Sequence, residues 1–142
     1  MGQIGIDQAN AIISGGLAKA RELGLKPLSI AVLDAGGHLI AFQRQDAAST
    51  LRPQIAMAKA SGALAIGVSS RQIGQMAAER PSFISALEAI APGGIIPAAG
   101  GVIVIGASSR PIGAVGVTGD SSDNDEACAL AGIAAAGLTA QP

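Results

Sequence analysis

Aromatic residues are nearly missing from this chain of 142: it has no Trp, no Tyr and two Phe, Phe42 and Phe83. Charge is scarce too, at 13% of residues with a net of −1, and no basic cluster stands out. These two shortages exclude nucleic acid as a partner, which needs phosphate-neutralising cations and often stacking platforms. The single Cys128 excludes an intrachain disulfide and fits a reducing compartment. One Cys and one His, His38, cannot build a standard zinc site, so no metal site is assigned. No uncharged apolar run reaches spanning length, and no membrane is expected. The start, Met-Gly-Gln-Ile-Gly-Ile, lacks a basic segment followed by an apolar run, so a cytoplasmic location is expected. A surface this poor in charge must find cover for apolar area, which predicts a homo-oligomer.

The apolar residues that are present fall into clear periods. Ile6, Ala9, Ile13, Leu17 and Ala20 recur at helical spacing, and Gly24 ends that helix. Leu28 to Leu33 and Leu39 to Arg44 read as two strands joined at Asp34-Ala35-Gly36-Gly37-His38, a turn with two glycines. A helix follows from about Leu51 to Ile66, with Ser49 or Thr50 as cap and Pro53 tolerated in its first turn. Ser69 with Gln72 opens a helix reaching Arg80, and a shorter one runs from Ser82 to Ile90. Ile95 and Ile96, before Pro97, make an edge strand or a loop at best. Gly101 to Gly106 and Pro111 to Val117 form a second hairpin, and a helix of Ala and Gly runs from about Asp123 to Leu138. Hairpins rather than strand-helix-strand crossovers predict one α+β domain over 1–142, with an antiparallel sheet of about five strands in the order α-β-β-α-α-β-β-β-α.

The densest chemistry lies at residues 113–126, where an apolar strand passes through Gly119, Asp120, Ser121 and Ser122 into an acidic helix start with Asp123, Asp125 and Glu126. Backbone N–H groups at such a junction seat anions, although the same residues also suit plain helix capping. Offsets of three, four and seven put Arg52, Ile55, Ala56, Lys59 and Ala63 on one helix face. On spacing alone its two cations read as chains snorkelling from a helix edge. A P-loop, a dinucleotide fingerprint, an EF-hand loop and a nucleophile elbow are all missing. His38 reads as an exposed turn residue.

Three stretches together resemble the GlcG/HbpS-like family: Ala31 to Leu39 with Arg44-Gln45-Asp46; Ile55 to Ala60; and Gly113 to Val117 leading through Gly119 to Asp125-Glu126. The resemblance runs in order over essentially the whole chain. It implies a profilin-like α+β fold and homo-oligomers, in a family with haem-binding members and members encoded among catabolic genes. It also implies a pocket lined by Arg44, Asp46, Arg52 and Lys59 that faces the Gly119 to Asp125 turn. The shortage of aromatic walls puts first a cytoplasmic small-molecule protein, an isomerase or lyase acting on a small organic acid in a catabolic pathway. Its ligand would be a small carboxylate or hydroxy-carbonyl compound. Lys59, Asp46 and Asp125 would be catalytic; Arg44, Arg52, Gly119, Ser121 and Ser122 would bind substrate. The alternative is a haem- or iron-binding protein of haem-degrading type with haem as cofactor and His38 or Met57 as axial ligand. A second alternative is a non-catalytic oligomeric accessory subunit.

Overall fold

The computed structural model describes residues 2–142. Its elements are α1 (Ile6–Leu23), β1 (Ser29–Asp34), β2 (Leu39–Arg44), α2 (Arg52–Ile66), α3 (Ser70–Glu79), α4 (Pro81–Glu88), β3 (Gly101–Ile105), β4 (Pro111–Thr118), α5 (Ser122–Ala135) and β5 (Thr139–Ala140). The strands form one sheet in the order β2-β1-β4-β3-β5, with every neighbouring pair antiparallel. This is the expected α+β fold. The piece before Pro97 is irregular, and the outer strand beyond β3 is β5, two residues held where Gln141 N–H donates to the Ile103 carbonyl at 2.8 Å.

Alternation along the strands divides the core between two layers. Ile30, Val32, Val102, Val104, Val115 and Val117 face α1 and α5. Leu33 and Ala114 meet Ala60 of α2 on the opposite face. In α1, Ile12 joins Ile13 in the core while Ile6 is exposed, so the buried stripe differs from the one the spacing predicts. Gly24 takes the left-handed conformation that stops the helix. The helix α2 lies unusually close to β4, because a Cβ at Gly116 would run into the Ala56 carbonyl. That contact fixes the height at which α2 side chains meet the sheet.

The two hairpins give the sheet two ends. The β1–β2 turn sits at one end, beside the middle of α2. At the other end Ser29 pairs with Arg44 on one side and with Thr118 on the other, where β4 turns into α5. Five residue steps along β1 separate these ends by roughly 17 Å. No described helix is long and apolar enough to cross a membrane.

Candidate functional site

At the turn end, Asp34 organises the loop. Its Oδ1 accepts the N–H groups of Gly36 and His38, both at 2.9 Å. The same oxygen accepts from His38 Nδ1 at 3.1 Å. Hydrogen bonding, led by the His38 backbone N–H, holds the Asp34 carboxyl below its ordinary range. Because a carboxylate can only accept, the ring proton sits on Nδ1, and in the neutral imidazole the lone pair is on Nε2. The His38 side chain is 81% exposed, as a turn residue should be, but it is oriented rather than free.

His38 also forms part of a cleft of about 560 Å³ between the turn and α2, with Gly37, Ser61, Leu64, Ala65 and Pro92 among its walls. A smaller cleft of about 300 Å³ adjoins it and shares Gly37, Ser61 and Gly93. Met57, Leu33 and Leu39 line this second cleft. His38 and Met57, the two alternative axial ligands named from the sequence, therefore stand on one continuous trough. Its walls are mostly apolar or glycine, with Gln54, His38 and Ser61 as the polar side chains, and the Ser61 hydroxyl is buried without a partner.

The other end of the sheet is polar. Lys59 is 3% exposed and Asp125 2%, so Lys59 is not a snorkelling chain. Lys59 Nζ donates to Asp125 Oδ2 at 3.2 Å and to the Val117 carbonyl at 2.9 Å. Burial pushes the Lys59 amine below its ordinary value, against the pull of Asp125. Burial likewise raises the Asp125 carboxyl, opposed by the Asp120 N–H and by Lys59. Two turns earlier on α2, Arg52 Nη1 donates to Thr118 Oγ1 at 2.8 Å.

The Gly119 to Asp125 turn supports this pair from behind. Gly119 has φ 144°, and a Cβ there would strike the Pro27 carbonyl. Asp125 Oδ1 accepts the Asp120 N–H at 2.9 Å. Asp120 in turn accepts from the Asn124 amide and from the N–H groups of Ser121 and Lys26, which draws its carboxyl down to about 2. Ser121 caps α5, its hydroxyl accepting the Asn124 N–H, and Ser122 is the first helical residue. These serines sit in the turn as capping residues, whereas Lys59, Asp125 and Arg52 converge on the sheet.

Arg44 and Asp46 stand a strand further out, where they line a shallow cleft of about 430 Å³ with Leu25, Pro27 and Gln45. Sequence reasoning did not single out Ser29 or Asp34. Asp34 carried a readable signal, a carboxylate four residues before the one His in a glycine turn. Ser29 had none, since its neighbours come from β2 and β4.

Residues 4–134 match the family described as haem degrading protein HbpS-like. Among solved structures, the heme complex of PduOC is 20% identical with a TM-score of 0.86, over 99% of this chain and 99% of that one. HbpS is 26% identical with a TM-score of 0.80, over 93% of this chain and 89% of that one. The Klebsiella pneumoniae protein ORFY is 26% identical with a TM-score of 0.84, over 94% of this chain and 90% of that one. No curated protein matches the sequence.

Proposed function

The chain belongs to the HbpS-like family, and on that premise we propose that it binds haem in the trough between the β1–β2 turn and α2. The observation that carries this reading is the Asp34–His38 contact. A carboxylate on Nδ1 fixes the ring and leaves Nε2 to meet a metal, the arrangement that metal-ligating histidines use. Haem, when bound, would supply an iron for His38 Nε2 to ligate. The glycine and apolar walls formed by Gly37, Leu64, Ala65 and Gly93 suit an apolar ring. Met57 lines the adjoining cleft as a second soft donor. The family description and the heme complex of a protein with this fold support the same ligand class. A haemin titration followed through the visible range tests it. The expected result is a sharp Soret band that saturates at a fixed ratio per chain, changes in His38→Ala, and weakens by about tenfold or more in Asp34→Asn. A broad band that never saturates, or one unchanged in His38→Ala, refutes it.

A second reading has its own observation in the buried Lys59–Asp125 pair beside Arg52. Two groups whose environments oppose their charges can exchange a proton, which suits an isomerase or lyase acting on a small organic acid. Asp46 lies on the outer cleft and would act there only on a ligand that spans to it. Turnover of a small acid that is lost in Lys59→Gln, with the circular dichroism of the fold retained, is the outcome this reading requires.

A further inference from the structure

The sheet end opposite the haem trough carries a row of polar side chains that the pairing register defines. Arg44, Ser29 and Thr118 are direct cross-strand partners on β2, β1 and β4. Direct partners project to one face, so all three point toward α2. From α2 the Arg52 guanidinium comes down onto Thr118. Arg44 to Thr118 spans two strand spacings, about 10 Å, which both long side chains can close upon.

Two features of this row are unbalanced. Ser29 is 0% exposed and its hydroxyl has no hydrogen-bond partner. A buried hydroxyl left without a partner is costly, and native proteins rarely keep one without a reason. Charge is uneven as well. Among the described residues neither Arg44 nor Arg52 forms a salt bridge, and the one buried carboxylate nearby, Asp125, is taken up by Lys59. Asp46, two residues past Arg44, pairs with neither guanidinium. The first turn of α2, which Arg52 opens, has no side-chain cap and adds its positive end to the same place.

We propose that Arg44, Ser29, Thr118 and Arg52 form a seat for a small 2-hydroxy or 2-oxo carboxylate. The two guanidiniums hold the carboxylate, as planar forks do. The oxygen on the neighbouring carbon meets the Ser29 hydroxyl, which can donate or accept. The proposal rests on the second reading above only for the ligand's class. It is independent of haem, whose trough lies at the far end of β1.

Calorimetric titration of the whole chain with lactate, pyruvate, propionate and inorganic phosphate tests it. Lactate or pyruvate binds saturably and more tightly than propionate, which lacks the second oxygen. Arg44→Ala, a change at an exposed edge position, weakens all three acids by about tenfold or more. Ser29→Ala removes the preference over propionate while the protein stays folded. No saturable binding of any acid, or affinities unmoved by Arg44→Ala and Ser29→Ala, overturns the proposal. So does phosphate bound as tightly as lactate without regard to Ser29, the mark of an unspecific anion site. Binding without turnover would refute the enzyme reading and leave the seat standing.

Discussion

Breaking the Lys59–Asp125 pair from one side should be among the most damaging single changes available in this protein. In Asp125→Ala the ammonium keeps only the Val117 carbonyl, and the Asp120 N–H loses its acceptor as well. Removing one member of a buried pair typically costs about 3–5 kcal/mol, because the remaining charge stays out of water. Against a total of roughly 5–15 kcal/mol, that is a large share. For a chain of this size each kcal/mol moves Tm by about 3 °C, so a fall of about 10–15 °C follows. The double variant Lys59→Met/Asp125→Leu removes both charges and should recover to within about 1 kcal/mol of the wild type or better. Urea unfolding followed by far-ultraviolet circular dichroism suits a protein with no Trp or Tyr. The pH response has a definite sign. Burial lowers the amine of Lys59 in the folded state, so its contribution is full above the ordinary value of 10.5 and is lost as pH falls through the folded value. Relative to the double variant, the wild type should therefore gain stability as pH rises toward 10.5. A loss under about 0.5 kcal/mol in Asp125→Ala, the size of an exposed ion pair, would refute this reasoning. A double variant as unstable as the sum of the singles would refute it equally.

Asp120 responds at the acid end. Its carboxyl is held at about 2 in the folded state, against 3.8 ordinarily, chiefly by the Asn124 amide. Its contribution is present above 3.8 and lost as pH falls toward about 2, so Asp120→Asn should flatten the acid limb of the stability profile in that window. An acid limb identical to the wild type's speaks against it. Gly116→Ala drives a Cβ into the Ala56 carbonyl, and a backbone neighbour cannot swing aside. The expected loss is about 1–3 kcal/mol or more in the same urea assay, and a neutral result would mean that α2 can lift from β4 freely.

What the sequence made legible was local. The bounds of α1 and β2 match their expected spans, and the Asp34 to His38 turn falls where its two glycines put it. Ser121 caps α5 because a hydroxyl before an acidic run is a near-neighbour signal. Spacing also put Arg52 and Lys59 on one face of α2, and they do reach the same strand end. What spacing could not give was the fate of the Lys59 charge. That depends on Val117 and Asp125, which lie 58 and 66 residues further along. The swap of Ile6 for Ile12 in the core has the same origin, since the tilt of α1 is set by its packing on α5. The Ser29 row was invisible for the strongest form of this reason. It exists only once β1 is known to lie between β2 and β4.

These non-local features explain why a charge-poor chain retains an ion pair in its interior. A buried pair seldom stabilises a fold beyond what apolar residues of similar volume would provide, so stability alone gives little reason to keep this one. Its geometry gives another. Lys59 ties α2 to a β4 carbonyl and to the first turn of α5 at once, through two bonds that a sliding or rotated α2 could not make. Close packing of Ala56 on Gly116 sets the distance of α2 from the sheet, and Lys59 sets its position along the strand. The same placement delivers Arg52 to Thr118 at one end and Met57 and Ser61 to the trough beside the β1–β2 turn at the other. One helix, fixed in height and register, thus serves both candidate sites, and a variant that frees its register should disturb both together.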